Sequence, residues 1–179
     1  MHCTALSLYR RRVLHLVHHI AGGGFCYPNE KIKRAEGSHR LVLIAGGVGI
    51  NPIVSITREI DKAGHSAKKV SLLFSAKSRD ELIFRGDIED ICERRRDTFE
   101  ASYFVTGDGG GNARARGDET GRVFYARIDA SHLSVALGDD DVSGVFCYVC
   151  GPNSLTEDCV AALMKLGVPK ENVFYELWW

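Results

Sequence analysis

No window of this chain reaches the ~18 consecutive apolar residues that a membrane-crossing helix requires, so a transmembrane protein is not expected. The short apolar core of a secretory leader is missing too. Net charge is absent: 23 basic residues offset 23 acidic ones, although they are unevenly spread. Residues 1–40 hold seven Lys/Arg against two acids, and residues 41–179 hold 16 against 21. A slightly acidic body sets up no field for gripping a phosphate backbone, so nucleic acid is not an expected partner. The seven histidines, His15, His18 and His19 among them, have no carboxylate or cysteine pattern that completes a metal site. No internal repeat is visible. What remains is 179 residues, 45% hydrophobic and 26% charged, which suits one soluble globular domain with or without a fragment of a second.

The six cysteines are Cys3, Cys26, Cys92, Cys147, Cys150 and Cys159. In a chain of this size without a secretory core they fit a reducing compartment better than a disulfide framework. Cys147 and Cys150 form a C-x-x-C inside Gly144-Val-Phe-Cys-Tyr-Val-Cys150, which reads as a strand. Residues three apart on a strand point to opposite faces, so neither a redox pair nor a zinc knuckle is expected there.

From residue 41 onward strands and helices alternate. Leu41-Val-Leu-Ile-Ala45 is a short apolar run bounded by glycines, as in a strand buried on both faces. Asn51 reads as an N-cap and Pro52 as a first-turn residue of a helix through about Ile60. Val70–Phe74 is a second strand, and Asp80 caps a helix-spaced set of Leu82, Ile83, Ile88 and Ile91. A third strand runs from about Glu100 to Thr106, and a loop rich in Gly, Asp and Arg follows to Gly121. A short helix over Asp129–Leu137, a strand over Gly144–Cys150, a helix over Asn153–Leu166 and a fifth strand over Asn172–Glu176 complete the series. This pattern predicts an α/β fold for residues 41–179, a doubly wound five-stranded parallel sheet. Residues 1–40 stand apart, with a strand-forming run at 13–20, a break at Gly22–Gly24, and Phe25-Cys-Tyr-Pro28 reading as the exit from another domain.

Three motifs can carry chemistry. Ala45 leads straight into Gly46-Gly47-Val48-Gly49-Ile50-Asn51-Pro52 and then a helix. Glycines let such a turn approach a ligand, and the helix N-terminus offers N–H groups and positive dipole to a pyrophosphate. A side chain at Gly47 or Gly49 is expected to fill the space that the pyrophosphate needs. The run is not G-x-G-x-x-G, because Pro52 stands where the third glycine belongs. The second motif, Cys150-Gly151-Pro152-Asn153, lies at the carboxyl end of a strand, where open parallel sheets bind ligands. Cys150 there either meets a reacting ring or fills the core as a small hydrophobe. The third, Tyr175-Glu176-Leu177-Trp178-Trp179, offers a packing surface, a partner surface or a flat platform for a planar cofactor.

Taken in order, these motifs resemble the NAD(P)H-binding half of the ferredoxin–NADP reductase and cytochrome b5 reductase superfamily, over about residues 20–179. The resemblance implies a strand order 3-2-1-4-5 and hydride transfer from NAD(P)H to a flavin, with electrons passed on to an acceptor. It implies that Ala45, Gly46, Gly47, Val48, Gly49, Ile50, Asn51, Pro52, Gly151 and Pro152 meet the dinucleotide. Cys150 would lie beside the nicotinamide, with Glu176 and Trp179 shaping the hydride-transfer site. In that superfamily a flavin-binding barrel with an Arg-x-Tyr-Ser/Thr motif comes first. This sequence lacks the motif, and residues 1–40 resemble only the barrel's last strand and linker.

The expected cofactor is therefore NAD, with NADP as the alternative; FAD is expected in full-length relatives and not in this chain. Expected partners are a nicotinamide dinucleotide and a flavoprotein or electron-acceptor protein. The rival readings are a non-catalytic nucleotide-binding module, a truncated product that needs a separate flavoprotein partner, and an interaction domain built on Trp178 and Trp179. NADH is favoured over NADPH, because Val105-Thr106-Gly107-Asp108 has no arginine where NADP-specific relatives carry a Ser-Arg pair. Lys77, Arg79, Arg114 and Arg116 weigh on the other side. The first 29 residues contain no Asp or Glu and include Arg10-Arg11-Arg12, which suggests a mitochondrial address, with the cytoplasm as alternative.

Overall fold

Leu41, Leu43 and Ala45 point to one side of the first strand, Val42 and Ile44 to the other, and all five are buried. A strand that is apolar on both faces needs cover on both, and this sets the architecture. The computed structural model describes residues 25–35, 39–63, 67–107, 122–139 and 141–178. Over these the chain forms α1 (Glu30–Arg34), β1 (Arg40–Gly46), α2 (Ile50–Ala63), β2 (Lys69–Ala76), α3 (Arg85–Arg94) and β3 (Phe99–Val105). It continues with β4 (Val123–Phe124), α4 (Ala130–Leu137), β5 (Val145–Pro152), α5 (Asn153–Lys165) and β6 (Val173–Trp178). The sheet is parallel throughout, in the order β4-β3-β2-β1-β5-β6. The five expected strands stand in the order 3-2-1-4-5. The sheet has six strands rather than five, because two residues after the loop, Val123 and Phe124, pair with Tyr103 and Phe104. A two-residue strand is too short to show a period in the sequence.

Helices α2 and α3 cover one face. Ile50, Ile53 and Ile60 of the first and Ile88 and Ile91 of the second share a core with Leu43, Leu72, Tyr103 and Tyr148. Helices α4 and α5 cover the other, where Leu133, Leu137, Cys159 and Leu163 pack on Ile44, Leu73 and Val149. The chain winds outward from β1 to β3 and then returns to lay β5 against the opposite edge of β1. Between β1 and β5 the winding reverses, which opens a crevice at the carboxyl ends of the strands. Cys147 and Cys150 fall in different cores on opposite faces, as the strand spacing requires.

Two expected caps are absent. A tight turn over Gly47–Gly49 runs directly into α2, so Asn51 lies inside the helix, where its Nδ2 donates to the Val48 carbonyl at 2.8 Å. Asp80 lies inside a separate turn, and α3 begins only at Arg85, after Phe84 adopts a left-handed backbone with φ 63°. Asp129 does cap α4, accepting from the Ser131 and His132 amides while His132 Nδ1 accepts from the Asp129 amide.

Residues 25–35 fold with the sheet that follows them. Phe25 meets the ring of Tyr148 edge-on at 5.3 Å, and Phe174 stacks on it at 5.0 Å. The Tyr148 hydroxyl donates to the Cys26 carbonyl at 2.7 Å and accepts from Asn29 Nδ2 at 3.0 Å. Asn29 also caps α1 by accepting the Ile32 amide at 2.9 Å, and Ile32 is buried. The sequence division after residue 40 cuts through this contact, while the strand expected at 13–20 and Gly22–Gly24 lie outside the described residues. Tyr148→Phe is expected to lower the unfolding free energy by about 1 kcal/mol. In hydrogen exchange the amides of residues 29–35 should open faster while those of β1 stay protected; unchanged exchange in α1 would refute the tie.

Candidate functional site

Backbone meets backbone at the crevice. A Cβ added to Gly49 would lie 2.2 Å from the Cys150 carbonyl oxygen and 2.8 Å from the Gly151 nitrogen. The space that a side chain at Gly49 would take therefore belongs to β5, which corrects the expectation that such a side chain would fill the room of the pyrophosphate. Gly47 differs. Its φ of 51° is a conformation side chains rarely adopt, and an added Cβ would meet nothing within 4 Å. Of the two glycines, Gly47 is the one that faces open space.

A cleft of about 220 Å³ opens beside it, lined by Gly46, Gly47 and Pro152 among the expected site residues. Its other walls come from the exits of β2 and β3, from Arg127 and Ile128, and from the first turns of α5. The two strand exits are fastened together: Thr106 donates to the Ala76 carbonyl through its amide (3.0 Å) and its Oγ1 (3.2 Å), and the Gly107 amide donates to the Lys77 carbonyl at 2.7 Å. Four charges line the cleft, Lys77 and Arg127 against Glu81 and Asp158. Glu81 Oε2 accepts the Lys77 amide at 3.3 Å. The volume lies below the ~300 Å³ at which sites for drug-sized ligands begin, so the cleft suits one half of a dinucleotide. The open turn, the helix start beyond it and the two cations fit a phosphate-bearing ligand.

The remaining expected residues spread around this point. Ala45, Ile50 and Pro52 are buried, Val48 and Asn51 are exposed, and Gly151 is buried at the end of β5. Cys150 is fully buried on the α2 face and stands in register with the half-buried Glu176. The sheet thus sets Cys150 and Glu176 side by side, and neither lines the cleft. Trp179 lies outside the described residues. Burial pushes the Cys147 and Cys159 thiols up to about 12, so both stay protonated near neutral pH. Among the described residues no three His, Cys, Asp or Glu side chains are grouped to hold a metal ion. Sequence reading missed Arg127, Glu81 and Asp158. The one available signal was the position of Arg127, two residues ahead of the helix cap Asp129.

Gly49→Ala is expected to cost about 3 kcal/mol or more of stability, the upper range for overpacking, because backbone and not a flexible side chain must yield. Gly47→Ala should cost only about 1 kcal/mol for its left-handed backbone. Paired thermal denaturation checks the order, and a Gly49→Ala protein as stable as wild type would refute the contact.

Comparison with known proteins agrees with this geometry. The profile described as "Oxidoreductase NAD-binding domain" matches residues 43–161. Oxidoreductase NAD-binding domain-containing protein 1 of Xenopus laevis is 32% identical over 167 residues, covering 88% of this chain and 50% of that protein. The CS-b5R domains of human Ncb5or, in an NAD+ form, superpose with a TM-score of 0.65 at 26% identity, over 82% of this chain and 39% of that one. Flavohemoglobin from Malassezia yamatoensis, with bound FAD and heme, superposes with a TM-score of 0.60 at 24% identity, over 86% and 36%. The chain spans about half the length of the curated relative it matches. A parallel sheet whose winding reverses at an open glycine turn, and a profile match that runs from β1 into α5, lead to one conclusion: the chain belongs to the oxidoreductase NAD-binding domain family.

Proposed function

We propose that this chain binds a nicotinamide dinucleotide across the carboxyl edge of its sheet and presents the nicotinamide for hydride transfer to a flavin. The observation that carries this reading is Gly47, a left-handed glycine at the switch point with nothing within 4 Å of its would-be Cβ. When bound, the nicotinamide supplies the hydride; the protein supplies position. The turn and the first amides of α2 hold the pyrophosphate. The cleft at the exits of β2 and β3 takes the adenosine half. Cys150 and Glu176, across β1 from that cleft, shape the place of the nicotinamide half. The flavin comes from outside the described body, from a separate flavoprotein or from a flavin-binding half of the kind the superfamily places ahead of this domain. The NAD+ form of the Ncb5or domains supports the dinucleotide, and the FAD in the flavohemoglobin supports the flavin.

NADH is the preferred form. Glu81 lines the cleft and repels a 2′-phosphate, and Thr106 and Gly107, fastened to β2, stand where a phosphate-gripping arginine would be needed. Calorimetric titration of the chain should show one saturable NADH site with weaker NADPH binding. Gly47→Ala should weaken NADH at least tenfold, about 1.4 kcal/mol. With flavin added, Cys150→Ser should slow NADH-dependent flavin reduction and leave NADH affinity in place. No NADH binding would refute the function, and NADPH binding tenfold tighter than NADH would refute the preference.

A mitochondrial address belongs to the same proposal and rests on the acid-free, arginine-bearing first 29 residues. A fluorescent reporter fused to residues 1–30 should be imported; diffuse cytosolic signal would refute the address.

A further inference from the structure

We infer that Arg127 is the pyrophosphate-binding cation of this site, an assignment that rests on the dinucleotide reading above. Arg127 shares the cleft with Gly46 and Gly47 and comes from the segment that leaves the two-residue strand β4. Its backbone is held on the C-terminal side. Ile128 is buried in the core under α4, and Asp129 is the N-cap of that helix. The His132 ring that completes the cap stands edge-on to Phe104 at 4.8 Å and Phe124 at 5.4 Å, so the cap is itself wedged against β3 and β4. Only the arginine side chain has freedom to lose when a ligand arrives, which lowers the ordering cost.

Electrostatics point the same way. Three arginines elsewhere are engaged with carboxylates: Arg58 with Asp87 at 2.6 Å, Arg85 with Glu89 at 2.7 Å, and Arg95 with Asp61 at 3.1 Å. Arg127 has no carboxylate within ion-pair distance among the described residues, although Glu81 and Asp158 line the same cleft. The four cleft charges cancel, so an entering pyrophosphate finds no net attraction and needs a local cation. Lys77 is a point charge whose own amide is bonded to Glu81, and that acid offsets it at the β2 exit. The guanidinium is a planar fork that donates two parallel N–H groups to phosphate oxygens, which an ammonium does not match.

The test compares ligands with and without the pyrophosphate. Wild type, Arg127→Ala and Arg127→Lys are titrated with NADH, ADP-ribose and adenosine, after equal thermal midpoints confirm folding. In Arg127→Ala, NADH and ADP-ribose should bind at least tenfold more weakly, while adenosine stays within twofold. The salt dependence of ADP-ribose binding should flatten. Arg127→Lys should recover part of the loss. Unchanged ADP-ribose affinity in Arg127→Ala, with wild-type binding intact, overturns the Arg127 assignment alone. Equal losses for adenosine and ADP-ribose also overturn it, because the residue would then shape the cleft as a whole. A wild-type chain that binds neither NADH nor ADP-ribose overturns the function beneath it as well.

Discussion

At Gly49 the turn before α2 lies against the Cys150 carbonyl with no room for a methyl group. The organisation of the crevice depends on that approach. It presses the start of α2 onto the end of β5, so the helix begins above the place where the winding of the sheet reverses. It also forces the preceding residue pair outward, which leaves Gly47 facing open space and Val48 68% exposed. A side chain at Gly49 would lift the helix from the strand and tilt its amides away from the crevice. The contact contains no side-chain atom on either partner, so no repacking elsewhere can replace it.

Around that fixed point the two faces of the sheet divide the work. The face under α4 and α5 opens into the polar cleft, where two cations and two acids stand on three separate segments. The face under α2 closes over Cys150, which sits among apolar neighbours and beside Glu176 in register. A ligand crossing the carboxyl edge passes from a charged environment to an apolar one. The two ends of a nicotinamide dinucleotide differ in the same sense, since the phosphates and adenosine carry most of the polarity.

The alternation of strands and helices was legible because β1 and β5 are apolar on both faces and are bounded by glycine or helix-capping residues, while the strand order came from the family resemblance. Period and punctuation suffice for such elements. They fail where the cause lies across space. Asn51 looks like a cap, yet the turn over Gly47–Gly49 already leads into the helix ahead of it. Gly49 looks like a ligand-facing glycine, and the sequence cannot show that the backbone of β5 comes within 2.2 Å of its would-be side chain. Val123 and Phe124 are too few to display alternation, so the segment that carries Arg127 stood outside every recognised element. Thr106 and Gly107 show the same limit, since their bonds to Ala76 and Lys77 join segments about thirty residues apart.

Tyr148 gives the chain an anchor point with a mechanical sense. Its hydroxyl and ring hold residues 25–29, and it lies two residues before Cys150 on the same strand. Tension on the chain ahead of Phe25 would therefore be delivered to β5, one strand in from the sheet's edge, and not to the first strand in sequence. The load path from anything attached upstream ends at the strand that carries Cys150, and that strand runs on into Pro152 and the start of α5, which wall the polar cleft. For anyone cutting or splicing this chain, the workable border lies ahead of Phe25, because a cut at the start of β1 would strip the tether and leave the Tyr148 ring facing water.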